Sequence, residues 1–483
     1  MSARVVVGAG GDWDTEVDVL VVGAGGCGLA AAIAAHDEGV QVAVLEKLDR
    51  PGGNTALSTG SIPGAGSRFQ REAGIDDSPA VLAADLQRIA GEQDLPALTR
   101  RMVALSAPLC EWLVDVVGAR ISLITDYCHV GHTVPRLHAP VSRRGQDLLD
   151  DLLAAVARRG IPIAVNNPVR TLVGSADDGI VGVEVGDAGG GDGDGKARVA
   201  SSRIGARKLI LACNGFAGDR ELVRRFCPEI AGAEYFGARG STGDAVRWGE
   251  ALGAGLANMA AYQGYGAVTY PHGALLSWTT IEKGGILVNA DGRRFGDEGL
   301  GYSAFARHVL AQETPVYAIF DDRIRAIAAK EAEFVELVEH GGIRRAESVA
   351  ALAAHVGLPQ AALERTLERY AQAASGGAPD EAGRTAFGIA PLALPLYIVR
   401  VTPGLFHTQG GLAIDDEGRV LRADGRAIPN LFAGGGAAGG ISGRSGAGGY
   451  ASGNGLLTAV GIGYLAGRAA AREIAGGPGA SRP

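Results

Sequence analysis

Three glycines and one carboxylate near the start of the chain have the types and spacing that hold a dinucleotide. Gly23, Gly25 and Gly28 form a G-x-G-x-x-G pattern, and Glu46 follows 18 residues after the last of them. In such patterns the first glycine permits a tight turn, the second lets the backbone approach a pyrophosphate, and the third lets a helix pack closely on a strand. A carboxylate at this distance accepts hydrogen bonds from a ribose. The spacing therefore predicts a bound dinucleotide.

These residues must be positioned by a strand, a helix and a second strand. The apolar runs VDVLVV (17–22) and VQVAVL (40–45) are typical of buried strands, and the small residues between them are typical of a helix packed on a sheet. A strand, Gly-rich turn, helix and strand form a βαβ unit, which implies a parallel, doubly wound sheet. KLILA (208–212) and NLFA (430–433) are predicted to add further strands, followed by a closing helix from about Gly453.

Three further glycine-rich segments favour FAD over NAD. The loop KLDRPGGNTALSTGS, starting directly after Glu46, offers backbone N–H groups and small side chains along the path of a long ligand. The strand ends LACNGF and NLFAGGG return glycine to the same sheet edge, and the helix after GYASGNG would direct its N-terminus at a reduced flavin. The predicted cofactor-binding residues are Gly23, Gly25, Gly28, Glu46, Lys47, Gly52, Gly53, Asn54, Thr55, Ser58, Gly60, Val169, Ala212, Asn214, Gly215, Gly434, Gly435, Gly455 and Leu456.

The composition divides the chain into three parts. Between about residues 260 and 404 it shifts toward Tyr, Trp, Glu and Lys, whereas the Gly-rich signature occupies both ends. The expected fold class is therefore α/β with an α+β cap. Residues 1–259 and 405–483 are predicted to form a Rossmann-like FAD-binding domain, into which a capping and catalytic domain, residues 260–404, is inserted.

Charge, cysteine content and hydropathy exclude several classes of partner and site. A net charge of −8 without a basic block argues against nucleic acid. Five scattered cysteines indicate a reducing compartment, so a cytoplasmic location is expected, and no apolar run is long enough to predict a membrane span. The cluster of Cys128, His129, His132 and His138 matches no established zinc spacing, so no metal is expected.

The Gly-rich segments, in their order along the chain, resemble the flavoprotein superfamily of fumarate reductases, succinate dehydrogenase flavoproteins and 3-ketosteroid dehydrogenases. The matching pieces, which span nearly the whole chain, are VVGAGGCGLAAAIAA, LEKLDRPGGNTALSTG, LILACNGF, GGILVNADGRRFGDE, FHTQGG and NLFAGGGAAGG. The resemblance implies non-covalent FAD, because the GGNT segment lacks a histidine like the one that carries covalent flavin in succinate dehydrogenases. Gly436 stands where the reductases often have an acid, so that contact is not carried over.

The resemblance also implies a change of substrate. Fumarate reductases bind a dicarboxylate between arginines and histidines, with an arginine as proton donor. Here Tyr302 stands at the position of that arginine, Tyr265 at a substrate-binding histidine and Gly446 near a second arginine. Two lost cationic anchors disfavour a dianion, since each charge-assisted bond is worth roughly 1.5–3 kcal/mol. His407 is retained, and Arg444 is close enough in sequence to keep a carboxylate contact open.

The remaining pattern is similar to that of the 3-ketosteroid 4-ene (5α) dehydrogenases, which use one tyrosine from the cap and a Tyr-x-Ser from the last FAD segment. Tyr302, Tyr450 and Ser452 match these positions and are therefore expected to be catalytic. Tyr450 and Ser452 would handle the α-proton or the carbonyl as a relay, and Tyr302 would support the enolate or the proton. Position-1 dehydrogenases have another tyrosine nearer the N-terminus, which Tyr127 could supply. The expected substrate-binding residues are His407, Tyr127, Tyr265 and Arg444.

The expected activity is desaturation of a cyclic ketone, a 3-ketosteroid or a smaller cyclohexanone-type compound. A base removes the proton α to the carbonyl while a β-hydride passes to flavin N5. The alternative is an ene-reductase of the fumarate-reductase type, acting on an enoic acid or enone. The sequence contains no CxxCH haem motif, so an external electron acceptor or donor is expected in either case.

Overall fold

The computed structural model describes residues 4–7, 12–125, 128–175, 179–186, 201–313, 315–329 and 332–476. The helices are α1 (Gly26–Asp37), α2 (Gly53–Leu57), α3 (Arg68–Glu72), α4 (Pro79–Ala90), α5 (Pro96–Trp112), α6 (Gly145–Arg158), α7 (Arg220–Phe226), α8 (Asp244–Leu252), α9 (Thr279–Glu282), α10 (Gly301–Leu310), α11 (Asp322–Ala328), α12 (Ala332–Glu339), α13 (Val349–Val356), α14 (Gln360–Ala374) and α15 (Asn454–Ala475).

The strands are β1 (Arg4–Val7), β2 (Thr15–Val22), β3 (Val42–Leu45), β4 (Ile62–Pro63), β5 (Ile121–Leu123), β6 (Leu137–Pro140), β7 (Ile163–Ala164), β8 (Val169–Ser175), β9 (Gly179–Val185), β10 (Ser202–Leu211), β11 (Glu234–Tyr235), β12 (Leu256–Ala257), β13 (Ala260–Thr269), β14 (Ile286–Val288), β15 (Val316–Asp321), β16 (Arg344–Ala346), β17 (Leu396–Thr408), β18 (Gly411–Leu412), β19 (Arg419–Leu421), β20 (Ala427–Ala433) and β21 (Ser445–Gly446). Among the described residues, none of the helices is both long and apolar enough to cross a bilayer.

The chain divides into two compact units. Unit 1 contains residues 1–227, 237–262 and 407–483, and unit 2 contains residues 228–236 and 263–406. Unit 1 is therefore assembled from both ends of the chain. The fold is α/β, as the sequence predicted, and the predicted strands at 17–22, 40–45, 208–212 and 430–433 correspond to β2, β3, β10 and β20.

A nine-stranded sheet forms the centre of unit 1. Strand β2 lies between β3 and β10 and runs parallel to both, and β20 pairs in parallel with the other edge of β10. Residues Val19–Leu20–Val21 of β2 are completely buried, as expected for a parallel strand that is covered on both faces. The predicted βαβ unit, β2–α1–β3, is thus confirmed.

The closing helix α15 packs directly on α1 through small residues. A β-carbon at Gly463 would overlap the carbonyl oxygen of Cys27, and one at Gly467 would overlap that of Ala31. The two glycines are four residues apart and therefore lie on the same face of α15. This close approach lets α15, although distant in sequence, join the βαβ unit and direct its N-terminus to the sheet edge described below.

Unit 2 contains its own antiparallel sheet. Strand β15 pairs with β14 and β17, and β16 pairs with β17, all antiparallel. Along β15, Val316, Ala318 and Phe320 belong to one apolar cluster while Tyr317 and Ile319 belong to another. Alternate residues of a strand face opposite sides, so β15 separates two cores.

Candidate active site

The carboxyl ends of four parallel strands meet at one edge of the unit 1 sheet. The register pairs Val22 with Leu45 and with Leu211. Leu211 is in turn paired with Ala433. In open α/β sheets, ligands bind at this edge. The residues that follow these four strand ends, all predicted to bind the cofactor, are Gly23, Glu46, Ala212 and Gly434.

The three glycines of the first turn are required for different reasons. Gly23 has a φ of +110°, and a β-carbon there would overlap the carbonyl oxygen of Ala212. A β-carbon at Gly28 would overlap the carbonyl oxygen of Gly23. At Gly25 a β-carbon would instead make only an ordinary van der Waals contact, with Gly52 O at 3.6 Å. Two of these glycines allow close packing, and the third leaves room beside the helix N-terminus.

Glu46 is fixed at the end of β3 by two backbone groups. Its Oε2 accepts a hydrogen bond of 2.9 Å from Ala24 N, and its Oε1 accepts one of 2.9 Å from Leu48 N. The side chain is buried, and Asn167, two residues before β8 begins at Val169, donates from its N to the Glu46 carbonyl at 2.8 Å. A carboxylate accepts about four hydrogen bonds, so Glu46 keeps capacity for two hydroxyl groups.

The loop after Glu46 is tied to the rest of unit 1 by side chains. Thr55 Oγ1 accepts from Gly26 N at 3.0 Å, in the first turn of α1. Asn54 Oδ1 accepts from Ala238 N at 2.7 Å, and Lys47 Nζ donates to Asp244 Oδ2 at 2.8 Å. These contacts hold the predicted cofactor loop against the sheet edge.

Two of the predicted residues in this loop have a local structural role. Ser58 Oγ donates to Thr55 O at 2.8 Å and accepts from Gly60 N at 3.1 Å, which closes the turn after α2. Gly60 has a φ of +72° and abuts Pro140. Gly52 is the N-cap of α2 and Gly53 is its first residue.

A second close approach brings the LACNGF and AGGG segments together. A β-carbon at Gly436 would lie 2.6 Å from Gly215 N and 2.7 Å from Asn214 Oδ1. A larger residue at this position would not fit without moving that turn, which explains the glycine. Gly435 packs on Cys27 of α1, and Asn214 is in a left-handed conformation with a φ of 69°.

The residues at this edge fit FAD. The N-cap of α1, Gly25, makes no side-chain capping bond, and the first turn of α1 carries no acidic residue. A helix N-terminus of this kind attracts phosphate. Without a side chain at Gly25 the backbone at the helix N-terminus could approach a pyrophosphate closely, and the oriented carboxylate of Glu46 would accept ribose hydroxyls. The role of each predicted residue in binding remains a prediction.

His407 lies beside the N-terminus of α15 and is held as a neutral hydrogen-bond donor. Gln409 Nε2 donates to His407 Nδ1 at 2.7 Å, and Ser442 Oγ donates to Gln409 Oε1 at 2.9 Å. An amide nitrogen has no lone pair to accept with, so the imidazole proton is on Nε2. Burial lowers the pKa of His407 to about 4, against the smaller opposing effect of a hydrogen bond between the ring and the Thr408 backbone, so the ring is uncharged at pH 7.

Tyr450 lies next to His407. The two rings meet edge to face with centroids 5.5 Å apart, and a β-carbon at Gly455 would lie 3.4 Å from His407 Nε2 and 3.5 Å from the Tyr450 hydroxyl. Gly455 and Leu456 belong to the first turn of α15. Burial raises the pKa of Tyr450 to about 12, so its hydroxyl keeps its proton and can donate at pH 7. Two neutral donors and a helix N-terminus therefore converge.

Ser452, which is predicted to be catalytic together with Tyr450 and Tyr302, is held in place through its backbone. Its N–H donates to Val130 O at 3.0 Å, and its carbonyl accepts from His132 Nε2 at 2.8 Å. Residue 452 precedes α15 by one residue, Gly453, the helix N-cap. The Tyr450–Ser452 segment is thus buried between α15 and the loop that contains residues 128–138.

Arg444, which was predicted as a possible contact for a substrate carboxylate, is already bonded to two carboxylates of the protein. Its Nε donates to Asp94 Oδ1 at 2.6 Å and its Nη1 to Glu92 Oε2 at 2.9 Å, and its side chain is 55% exposed. A carboxylate ligand would have to compete with two carboxylates already bound. Arg444 is therefore a poor anchor for a diacid.

Tyr302 and Tyr265 lie in unit 2, where their rings are 5.3 Å apart. The Tyr265 hydroxyl donates to Leu276 O at 2.9 Å and accepts from Trp278 N at 3.0 Å, so it ties two parts of the unit 2 core together. Tyr302 lies in the first turn of α10 and is partly buried. Tyr127 lies outside the described residues.

Two of the histidines near Cys128, His132 and His138, make hydrogen bonds within the protein. His138 Nε2 bonds Ser67 Oγ at 3.0 Å and its Nδ1 bonds Arg136 O at 3.0 Å, while both nitrogens of His132 are also engaged. Within the described ranges, no group of three or more His, Cys, Asp or Glu residues could hold a metal ion.

Sequence reasoning missed Gln409 and Ser442, which orient His407. Gln409 stands within the FHTQGG piece, two residues after the histidine, and alternation along an extended segment places such residues on one face. That signal was available for Gln409. Ser442 lies 33 residues further along the chain, and no local pattern connects it to the histidine.

A family model described as "FAD binding domain" matches residues 18–455. NADH:fumarate oxidoreductase of Klebsiella pneumoniae (strain 342) is 32% identical over 463 residues, which cover 95% of this chain but 48% of that protein. The chain thus spans about half the length of that relative. 4-Oxocyclohexanecarboxylate 2-dehydrogenase of Sinomonas cyclohexanicum is 27% identical, with coverage of 95% and 93%.

Two solved structures are similar over nearly the whole chain. The open conformation of a flavocytochrome c3 fumarate reductase has a TM-score of 0.79 at 28% identity and covers 95% of this chain and 79% of that one. The 3-ketosteroid-Δ4-(5α)-dehydrogenase of Rhodococcus jostii RHA1, in complex with 4-androstene-3,17-dione, has a TM-score of 0.76 at 26% identity, with coverage of 98% and 100%.

Proposed function

The chain belongs to the FAD binding domain family, with FAD as its cofactor, and from that premise we propose that it is an FAD-dependent dehydrogenase that desaturates a cyclic ketone. The observation that carries the proposal is the pair of uncharged donors, His407 and Tyr450, at the N-terminus of α15. Such donors suit a carbonyl oxygen that gains negative charge as an enolate forms. The substrate would be a 3-ketosteroid or a smaller cyclohexanone-type ketone.

Bound FAD supplies the acceptor for the β-hydride. The hydroxyl of Tyr450 donates to the substrate carbonyl, with Nε2–H of His407 as the second donor, and the dipole of α15 adds to the stabilisation. Because burial raises the pKa of Tyr450 to about 12, this phenol is suited to donate a proton or hydrogen bond and is poorly suited to act as a base at pH 7. The family resemblance implies Tyr302 as the residue that removes the α-proton, and we keep that assignment as a proposal, with a supporting role beside Tyr450 for Ser452.

The state of Arg444 and the names of two similar proteins support a ketone, although more of the relatives are named as reductases of fumarate, urocanate or acrylate. Two similar proteins are named for action on a cyclic ketone, the Sinomonas 4-oxocyclohexanecarboxylate dehydrogenase and the Rhodococcus ketosteroid dehydrogenase. Arg444 is already paired with Glu92 and Asp94. A fumarate-reductase-type ene-reductase is the second candidate, favoured by the similarity to the Klebsiella NADH:fumarate oxidoreductase. Either activity needs an external electron acceptor or donor, and a cytoplasmic location stays a prediction.

A substrate panel tests the proposed function. The purified flavoprotein is mixed without oxygen with a saturated 3-ketosteroid, 4-oxocyclohexanecarboxylate or succinate, and the flavin absorbance is followed. A ketone should bleach the flavin and succinate should not, because uncharged donors do not compensate the cost of desolvating a dianion. Bleaching by succinate alone would reject the ketone assignment. Reoxidation of dithionite-reduced protein by fumarate, but not by a 4-ene-3-ketone, would favour the reductase.

We propose further that the FAD is not covalently attached. The GGNT segment offers no imidazole, Thr55 Oγ1 is bonded to Gly26 N, and the Asn54 amide is bonded to Ala238 N. Precipitation with trichloroacetic acid should therefore release all of the flavin into the supernatant, measured by its absorbance. A precipitate that keeps its flavin fluorescence after denaturing electrophoresis would contradict this expectation.

A further inference from the structure

A buried ionic cluster lies behind the Tyr450–Ser452 segment. Arg136 Nε donates to Asp77 Oδ2 at 2.8 Å and its Nη1 to Asp85 Oδ2 at 2.6 Å, and the side chain of Arg136 is 0% exposed. Asp77 and Asp85 are also buried, with side chains 0% and 4% exposed. Buried charges of this kind persist only when they are paired and hydrogen-bonded, as they are here.

Arg136 also determines which nitrogen of His132 carries the proton. Its Nη1 lies 3.0 Å from His132 Nδ1. A guanidinium has donors only, so Nδ1 must accept and the ring proton must be on Nε2. From Nε2 the proton is donated to the carbonyl of Ser452, at 2.8 Å. Burial lowers the pKa of His132 to about 4, which keeps this neutral arrangement at pH 7.

The same loop holds the segment at two further points. Ser452 N donates to Val130 O at 3.0 Å, so both backbone groups of Ser452 are bonded to residues 130–132. Gly131, with a φ of +88°, lies against Ala451, where an added β-carbon would be 2.6 Å from the Ala451 β-carbon. The loop therefore fixes the backbone that carries Tyr450.

We propose that His132, oriented by Arg136, is a positioning residue for the Tyr450–Ser452 segment, a role that rests on the proposed function of that segment. The imidazole is hydrogen-bonded both to the buried guanidinium of Arg136 and to the Ser452 carbonyl. It therefore fixes the position of the Tyr450–Ser452 backbone relative to the ionic cluster. His132 itself does not touch the substrate in this proposal. Its effect on the rate depends on Tyr450.

Two substitutions of His132 distinguish loss of the hydrogen-bonded link between Arg136 and Ser452 from loss of the imidazole ring itself. His132→Gln keeps an oxygen that accepts from Arg136 and an amide N–H that reaches the Ser452 carbonyl. His132→Asn keeps the acceptor for Arg136, so the buried charge stays paired, but its shorter side chain loses the Ser452 bond. In His132→Asn, flavin reduction at saturating ketone should slow about 10- to 100-fold, the scale of a displacement of about 1 Å. His132→Gln should stay within about threefold of wild type.

Amide hydrogen exchange in the holoprotein gives a readout that does not depend on turnover. Exchange of peptides covering residues 450–453 should accelerate in His132→Asn and stay protected in His132→Gln. Unchanged exchange in His132→Asn, or faster exchange with an unchanged rate of flavin reduction, would overturn the proposal. If no ketone reduces the wild-type flavin, the proposed function fails, while the exchange comparison still decides whether His132 holds the segment.

A double-substitution cycle tests whether His132 affects the rate of flavin reduction through Tyr450. If His132 acts through Tyr450, the Tyr450→Phe, His132→Asn variant should reduce flavin no more slowly than Tyr450→Phe alone, because residues that act as a unit are not additive. If the rate losses of the two single substitutions multiply in the double variant, His132 acts independently of Tyr450, and the proposed role is overturned.

Discussion

Replacing Tyr450 with phenylalanine should leave FAD bound and slow its reduction by a saturated cyclic ketone at least about 10²-fold, the low end for acid–base roles. The ring would still pack on His407, since their edge-to-face contact does not involve the hydroxyl. The substitution would remove the donor to the developing enolate oxygen, together with the hydrogen bond between the hydroxyl and the Gly455 backbone. The measurement is anaerobic stopped-flow absorbance at saturating substrate, with the flavin content determined separately.

Tyr464→Phe is the matched control for this substitution. Tyr464 lies on the same helix, α15, but its hydroxyl accepts from Arg468 Nη1 at 3.0 Å, away from His407. The control should reduce flavin at close to the wild-type rate. If Tyr450→Phe also does so, Tyr450 contributes packing alone and the carbonyl-donor assignment is wrong.

Because of their pKa shifts, Tyr450 and His407 should keep the same protonation state over a wide range of pH. The pKa of Tyr450 is raised to about 12 and that of His407 is lowered to about 4, so neither group changes charge between about pH 6 and pH 10. A break in the rate of flavin reduction within this interval must come from another group, such as the base assigned to Tyr302. The Tyr450→Phe variant should therefore keep the shape of the wild-type profile at a lower rate.

Replacing Gly25 with valine should lower the affinity for FAD at least about 10²-fold, while the protein stays folded. Gly25 has φ −89° and ψ −175°, a conformation that valine adopts readily, and its β-carbon would meet nothing closer than 3.6 Å. The added side chain would fill the space that the pyrophosphate needs at the N-terminus of α1. The measurements are flavin content after dialysis and the thermal midpoint of the apoprotein.

Two comparisons make the Gly25 result specific. Gly232→Val places the same side chain on an exposed position of unit 2, 3.5 Å from Leu310, and should keep its flavin. Gly28→Ala, whose β-carbon would overlap the Gly23 carbonyl, should lower the thermal midpoint even without FAD. Full flavin content in Gly25→Val would show that the phosphates do not pass over this glycine.

Much of the cofactor edge could be predicted because its causes are local. Gly28 is a glycine because a β-carbon there would overlap the carbonyl oxygen of Gly23, five residues earlier, and the positive φ of Gly23 is set by the same tight turn. The close contact of Gly23 with Ala212, by contrast, comes from a distant part of the chain. Glu46 follows a strand whose apolar run ends at Leu45, so its place at the sheet edge follows from the end of the run. The predicted strands entered one sheet because parallel βαβ units have little topological freedom.

The arrangement of groups at the N-terminus of α15, where we propose catalysis, depends on contacts that no local pattern reveals. The proton on His407 is placed by Gln409 and Ser442, and Arg444 is withdrawn from ligand binding by Glu92 and Asp94, some 350 residues away in sequence. Residue types and spacing alone thus determined the fold class, the FAD site and the presence of two phenols with a histidine. Only the tertiary structure decided which of these groups are charged, which donate and which are already paired, because charge and hydrogen bonding depend on neighbours that folding brings from distant parts of the chain.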